Sequence, residues 1–516
     1  MLADRSGGFL EYVLINPPGL GKYRKIASDD CLGLGYINAS LQSEFNGYII
    51  NCVANGLTIE DLFLNSKWFR DMTESIYIGI SCNFFTTIPS TVKLVKKLRE
   101  IGYRGFICIG GHQAVMLRHE IISELDIDAI ANGDGEITTV ELMKALSGGY
   151  FDYQIQGFYY KKGHEIISTY SSAIWPELDK LPYPTRRGDE KHPLLQMNDS
   201  SQMSGVSIST SRGCPFRCVY CDISAFYHRL RRERSVENIA DEMEYLYKAK
   251  RITYFSFTDD NFIGGSKHGN ERAYMFVDEL KKRNIPIRFN MEIRVTDATR
   301  DLLSALKSVG LYHVNMGIES GSQSMLDRWK KGIYVQDSIN AIQIVEAVGL
   351  RYNINYILVD AYTTFDELLE SYEFIKKTRA IEKSDEYFHI FTNELGVIHG
   401  TPIASEMKSS GLLFPKKMCR ATPEEQEILD HYHPMYSYSF VDPHVDCFIT
   451  NNRYWTNIVA RIIENISDAE IYSRGFRRFC FRLFTLSIRA AKEKDIIFDD
   501  LSTEIESYCT FKGISF

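Results

Sequence analysis

Residues 211–223 read SRGCPFRCVYCDI and set Cys214, Cys218 and Cys221 in a CxxxCxxC array directly after a predicted strand at 206–210. The other eight of the eleven cysteines, Cys31, Cys52, Cys82, Cys108, Cys419, Cys447, Cys480 and Cys509, stand alone. A secreted disulfide framework calls for denser spacing in a shorter chain, so the isolated thiols read as structural and the triplet asks for a metal. Three thiolates on one short loop can hold three corners of a cubane cluster and leave the fourth iron open to a substrate. Zinc sites close instead with a fourth Cys or His, for which Asp222 and His228 are the nearest candidates.

Working outward, apolar runs at 206–210, 252–257, 287–291, 312–317 and 353–359 alternate with helical patterns near 235–249, 271–284, 298–309, 322–330 and 337–348. Strand–helix alternation implies a parallel sheet, and about six such units over 204–384 are too few for a closed eight-unit barrel. Toward the N-terminus, apolar runs at 12–15, 76–81, 106–109 and 127–131 also precede helical segments, the clearest being 90–101 with Val92, Leu94, Val95 and Leu98 on one face. Between these two α/β parts, QIQGFYYKKGHEIIS reads as a hairpin and LDKLPYPTRRGDEKHP as an extended connector. The predicted organisation is 1–147, a hairpin and linker over 148–203 that joins two domains, a partial barrel over 204–384, and a smaller mixed or helical region over 385–516. The chain has 516 residues and a net charge of −8, with neither a signal peptide nor an apolar run long enough to span a bilayer, which predicts a cytoplasmic protein. Mild acidity predicts no general affinity for nucleic acid.

With its surroundings, the triplet resembles the radical S-adenosylmethionine (SAM) superfamily, whose three cysteines hold a [4Fe-4S] cluster with SAM on the free iron. The resemblance implies that Cys214, Cys218 and Cys221 are catalytic metal ligands and that Tyr220 lies along the adenine. FSFTDDNF, with Asp259, Asp260 and Asn261, is similar to the family's motif for the SAM amino group, an acidic pair replacing Gly-Gly-Glu. A carboxylate facing an ammonium keeps that chemistry. In NMEIR, Glu292 and Arg294 lie two apart on one face, suited to ribose and carboxylate contacts. GIESGSQ matches the next strand-end motif with Gly317, Glu319 and Ser320. The usual glycine- and proline-containing turn after the next strand is replaced by ILVDAYTTFDEL, where Asp360, Tyr362, Thr363 and Thr364 face the cleft or, for the threonines, cap the helix beginning at Phe365.

The order of an α/β domain, connector, radical SAM barrel and C-terminal region resembles the cobalamin-binding branch of this superfamily, which implies a Rossmann-like cobalamin domain at the N-terminus. Its residues here are VLINPP (13–18), GLGY (33–36), IGISCNFFTT (78–87) with Ser81, CIGGHQA (108–114) with Gly110, Gly111 and His112, and ANGDGE (131–136) with Gly133, Gly135 and Glu136. Small residues at carboxyl-end loops let backbone approach a bulky planar ligand. The DxHxxG motif is absent: the first loop is NPPGLGKYRK, and His112 and His119 lie elsewhere. Cobalamin is therefore expected without that histidine ligand, its lower face left to water or a non-ligating side chain, with His112 a polar contact or an unusual ligand.

The resemblance implies a cobalamin-dependent radical SAM methyltransferase acting on an unactivated carbon of a small-molecule or peptide substrate, supplied with electrons by a donor such as flavodoxin or ferredoxin. Ring contraction or cyclisation without methyl transfer is the alternative within the branch. A transfer-RNA methylthiotransferase needs a second cluster and a basic C-terminal barrel, and Cys31, Cys52, Cys82 and Cys108 lack its local motifs. A non-catalytic cobalamin or cluster carrier has no use for Tyr220, Asp259 and Glu319 as placed. In 385–516, FTNELGVIHGTPI with Gly400–Thr401–Pro402 resembles a recurring feature of the branch, and Tyr436, Tyr438 and Phe440 alternate as in a strand. HYHP is a polar contact or a metal pair; FRRFCFRLFTLSIRAAKEK is a core-covering helix or a basic amphipathic surface.

Overall fold

The computed structural model describes residues 10–20, 31–151, 153–163, 165–169, 177–186, 205–418, 421–512 and 514; within the predicted linker region residues 170–176 and 187–203, and elsewhere Lys22 with the basic residues after it and Cys419, lie outside them. Its first sheet contains β1 (Tyr12–Asn16), β2 (Gly47–Asn51), β3 (Tyr77–Ser81), β4 (Phe106–Gly110), β5 (Ala129–Ala131), β6 (Phe158–Lys162) and β7 (Glu165–Ser168). They lie in the order β2-β1-β3-β4-β5-β6-β7. The first five are parallel, and β6 and β7 are antiparallel. Alternate side chains feed two cores. Val13, Ile15, Ile78, Ile80, Ile107 and Ile109 pack on one face, and Tyr12, Leu14, Tyr77, Phe106 and Phe158 on the other, as expected of strands covered on both sides. Because β2 and β3 leave β1 in opposite directions, the sheet has a topological switch point at β1/β3, where open α/β sheets take ligands.

Two readings change here. The hairpin at 158–168 is no connector: β6 pairs with β5, so it forms the antiparallel edge of this sheet. β2 was not apparent in the sequence, because a run as short as YIIN cannot be separated from a helix by periodicity.

The second sheet is formed by β8 (Val206–Ile208), β11 (Tyr254–Phe257), β12 (Arg288–Arg294), β13 (Leu311–Glu319) and β14 (Arg351–Tyr356), all parallel and in sequential order. Between them, β9 (Ser211–Arg212) and β10 (Arg232–Glu233) pair antiparallel and clasp the base of the cysteine loop. The described residues thus contain five barrel strands rather than about six. The predicted strand at 353–359 stops at Tyr356, since Leu358 donates its amide to Asn393 O and Val359 O accepts from Leu395 N. Thr364 and Glu367 form a reciprocal cap on the helix Phe365–Thr378.

The C-terminal region does not fold around a core of its own. Val445, Phe448, Trp455, Phe484 and Leu501, from the helices Pro443–Ile463, Arg474–Glu493 and Phe498–Lys512, belong to one buried cluster with Phe255, Phe289 and Met316 of the barrel. The helix Arg474–Glu493 carries the basic amphipathic segment and buries Phe476, Cys480, Leu483 and Phe484, so it covers this core. A small antiparallel sheet, β15 (Val397–Ile398), β17 (Met435–Tyr438) and β16 (Leu413–Pro415), carries Tyr436 and Tyr438. Among the described residues no helix is long and apolar enough to cross a membrane.

Candidate functional site

The cysteine loop is fixed from three sides. Its base is the β9–β10 pair, Val219 N donates to Trp329 O (3.1 Å), and Val219 O accepts from Ile403 N (3.1 Å). Trp329 is in turn held by its Nε1–H on Asp360 (2.7 Å), and Arg328 bridges Asp360 and Glu367. Asp360 is therefore a buried structural acid and does not face the cleft. Cys214, Cys218 and Cys221 are half-buried on one loop. Burial pushes Cys214 upward and Cys221 to about 12, and Cys218 adds to both shifts, so the three sulfurs share one locality. No group of three or more Cys, His, Asp or Glu among the described residues closes around a single ion. Three thiolates on one loop are the ligand set that a cubane with one open iron needs, whereas a structural zinc site takes four protein ligands. Tyr220 packs edge-on to Trp329 (6.0 Å), and burial, then Glu319 and the neighbouring cysteines, push its hydroxyl well above the usual range.

The acids divide into two sets. Asp259 is 2% exposed and accepts from Thr210 Oγ1 (2.9 Å) and Ser211 Oγ (2.5 Å), which ties β11 to the start of the cysteine loop. Asn261 Oδ1 accepts from Ile263 N and Gly264 N, and Ser320 Oγ from Ser322 N, so both build turns. Asp260 and Glu292 remain half-buried in the cleft, each pushed up to about 7. Burial is the first cause for both; Asp259 adds to it at Asp260, and Glu319 and Asp260 add to it at Glu292. Carboxyls held neutral by lack of a counter-charge are groups that a cationic ligand would ionise.

Arg294, expected at a carboxylate contact, is engaged with backbone and with the cysteine loop. Its guanidinium donates to Lys331 O and to Gly332 O (2.9 Å) and stacks 3.8 Å from the centroid of Phe216, inside the cysteine loop. The cation in the cleft is Lys331, which sequence reasoning missed. It is 8% exposed, and its Nζ donates to Glu319 Oε1 (2.7 Å). Burial alone would lower this ammonium, but Glu319 and Cys218 more than reverse that and hold it above its ordinary value. Gly317 lies under this pair: a Cβ there would come 2.8 Å from Nζ and displace the lysine tip. A lysine just beyond a helix carries no periodic signature; only the charge at a strand-end loop could have drawn notice.

At the first sheet, the predicted residues line the carboxyl ends. Ser81 ends β3 beside Gly110 at the end of β4. Gly111 has φ +110° and no space for a side chain, because a Cβ would lie 2.4 Å from Asn83 Oδ1. Gly133 also has positive φ. A cavity of about 500 Å³ opens at the switch point, lined by Pro18, Thr58, Ser90, Lys93, Thr422 and Glu424. Glu136 is not free for a ligand. It accepts from Arg212 (2.7 Å), while Asp134 accepts from Arg212 (2.6 Å) and pairs with Arg232 (2.9 Å). His112 stacks 4.1 Å from Phe226, at the end of the helix Asp222–Phe226 that follows Cys221, and burial lowers its pKa. Gly400 abuts Met116 of the first domain. The three parts of the chain thus meet at the cysteine loop, with the carboxyl ends of both sheets joined across it. Of the two HYHP histidines, His431 bonds Glu124 and His433 stacks on Tyr436.

Residues 208–375 match the Radical SAM superfamily. An uncharacterised methyltransferase of Pyrococcus horikoshii is 28% identical over 374 residues, 71% of this chain and 78% of that protein. Among solved structures, the cobalamin-dependent SAM radical enzyme OxsB with aqua-cobalamin superposes with a TM-score of 0.72 at 19% identity, over 97% of this chain and 75% of that one. The radical SAM methyltransferase TsrM from Kitasatospora setae gives 0.65 at 15% identity, over 97% of this chain and 100% of that one. The radical SAM match thus falls on the part of the chain that carries the clustered cysteines and the charged residues beside them, residues 208–375, and the chain as a whole has the fold of OxsB and TsrM.

Proposed function

We propose that this protein is a cobalamin-dependent radical SAM methyltransferase that methylates an unactivated carbon of a small-molecule or peptide substrate. One observation carries the reading. The Cys214–Cys221 loop is clamped by Arg212 and by the His112–Phe226 stack onto the carboxyl ends of the first sheet, which brings the two cofactor faces to one seam. Positioning of this kind can supply about 7–11 kcal/mol of a barrier by paying the entropy of assembly in advance.

When bound, the reduced cluster and SAM supply a 5′-deoxyadenosyl radical, and cobalamin carries the methyl group. The chain's own residues bind, orient and screen. Lys331 offers its ammonium to the SAM carboxylate, with Gly317 leaving the space. Asp260 and Glu292 ionise against the SAM ammonium, while Glu319 keeps Lys331 charged until the ligand arrives. Tyr220, against Trp329, borders the adenine. Asp259, Asn261, Ser320 and Arg294 act through the backbone they hold. On the other side, Ser81, Gly110, Gly111 and Gly133 leave room for a corrin, and the cavity at the switch point takes part of it. Tyr220 packs against the apolar cluster that includes Val397 and Tyr438 of the C-terminal sheet and Leu395 just before it, and this sheet would stand where a substrate enters.

The test is anaerobic reconstitution with iron, sulfide and hydroxocobalamin, followed by SAM and reductant. Formation of both S-adenosylhomocysteine and 5′-deoxyadenosine is expected. Deoxyadenosine without S-adenosylhomocysteine, with cobalamin bound, would turn the reading toward rearrangement.

A further inference from the structure

The charge of Arg294 has no partner in the account so far. The residue ends β12, is 6% exposed, and donates to two neutral acceptors, Lys331 O and Gly332 O (2.9 Å). Among the described residues it makes no ion pair, whereas Arg231 is matched by Glu233 and Lys331 by Glu319. Asp297, the acid within its electrostatic reach, is bound instead to Asn261 and to the Gly265 amide, and burial pushes its carboxyl upward. Burying an unmatched cation is unfavourable, and a neutral donor would hold two backbone carbonyls without that penalty. What the guanidinium covers is the ring of Phe216, with 3.8 Å from its central carbon to the ring centroid. Phe216 lies midway between Cys214 and Cys218 in sequence, so its Cα is within about 7 Å of each of theirs. The ring is pinned as well: a Cβ on Gly265 would lie 2.5 Å from its Cζ, and Phe216 O accepts from Ser224 Oγ (3.1 Å), just beyond Cys221. The stack therefore fixes a buried positive charge against the loop that carries all three cysteines.

We propose that Arg294, beyond holding the 331–332 turn, sets the reduction potential of the cluster, its unmatched charge on Phe216 favouring the reduced form. The inference rests on the radical SAM reading above. A [4Fe-4S] core in its 2+ state on three thiolates carries one net negative charge, and one electron from the external reductant makes it two. No bond forms and no proton moves. The attraction to Arg294 thus grows by one unit of charge on reduction. For a buried unit charge within about 10 Å, at an effective dielectric of about 20, that growth is worth roughly tenfold in the reduction equilibrium. Lys331 contributes less, because Glu319 cancels its charge at 2.7 Å.

Redox titration of the reconstituted holoprotein without SAM, followed by the electron paramagnetic resonance of the reduced cluster, tests this. Arg294→Gln keeps a donor for the two carbonyls but no charge, and is expected to lower the midpoint by about 59 mV, tenfold for a one-electron couple. Arg294→Lys keeps the charge and loses the planar fork, so its reduction equilibrium constant should stay within about twofold of wild type. Should Arg294→Gln take up no cluster, Arg294→His decides instead: it carries the charge only at low pH, so its midpoint should rise more steeply than that of wild type between pH 8 and pH 6. An unchanged midpoint in Arg294→Gln, equal shifts in Arg294→Gln and Arg294→Lys, or a pH slope in Arg294→His equal to that of wild type overturns the proposal. A wild-type protein that assembles no reducible [4Fe-4S] cluster overturns the radical SAM reading itself, and the inference with it.

Discussion

The carboxyl ends of the two parallel sheets face one seam but are built in opposite ways. At the barrel end, charges are left incompletely balanced: burial and neighbouring acids outweigh Lys331 at Glu292 and raise Asp260 as well, and Lys331 has Glu319 as its counter-charge. At the end of the first sheet, the charges are spent on holding the seam, with Asp134 and Glu136 committed to Arg212 and Arg232. What remains there is small residues and backbone. On the proposed function, the first end suits a compact zwitterion and the second a large planar ligand that needs room more than charge.

The largest expected break in this comparison is Cys218→Ala. Iron content and the cluster's charge-transfer absorbance should collapse and 5′-deoxyadenosine fall below detection, while cobalamin binding, measured by absorbance after desalting, persists. Loss of both ligands together would mean that the two ends are not independent sites. Arg212→Ala comes next, because it strands Glu136 as a buried carboxylate and leaves Asp134 with Arg232 alone. Removing one partner of a buried pair costs about 3–5 kcal/mol, which should appear as a lower denaturant midpoint. A shift of only a few tenths of a kcal/mol would show that the seam opens freely.

Lys331→Met should weaken SAM binding to the cluster-loaded protein about 10- to 100-fold, the worth of a hydrogen bond to a charged group, with partial rescue by Lys331→Arg. Arg294→Lys should change SAM affinity much less, since Arg294 binds backbone; the reverse ranking would restore the sequence-based assignment. Gly111→Ala forces a β-carbon against Asn83 and should lower cobalamin occupancy several-fold while leaving SAM affinity within twofold.

The smallest effect is pH dependence. Glu292 is raised to about 7, so without ligand the folded protein favours its neutral form. That contribution to stability is complete below the usual carboxylate range and is lost as pH rises through 7. A cationic ligand needs the ionised form, so SAM affinity should increase between pH 6 and pH 8, and Glu292→Gln should flatten the curve. A flat wild-type curve, measured by equilibrium dialysis, would place Glu292 away from the ligand.

How far the sequence carried depended on what each residue had to signal. CxxxCxxC is legible because metal ligation demands fixed types at fixed spacing, and the strand–helix alternation is legible because a buried parallel strand is a plain apolar run. Pairings made by tertiary packing are not. Asp259 and Asp260 look equivalent in FSFTDDNF, yet one is tied to Thr210 and Ser211 while the other stands in the cleft. Arg294 occupied the expected face but was drawn to Phe216, and the cation came from Lys331 instead. The fusion of the C-terminal helices with the barrel core was hidden for the same reason: amphipathic helices show which face is buried, not against what.

The central claim is that the two ends meet. Electron paramagnetic resonance of the reconstituted protein tests it most directly, with cobalamin held as cob(II)alamin and the cluster reduced in the same sample. Proximity across the Arg212 seam predicts that the cob(II)alamin signal broadens and relaxes faster once the cluster becomes paramagnetic. A cob(II)alamin signal indistinguishable from that of the Cys218→Ala protein under the same reduction would contradict it.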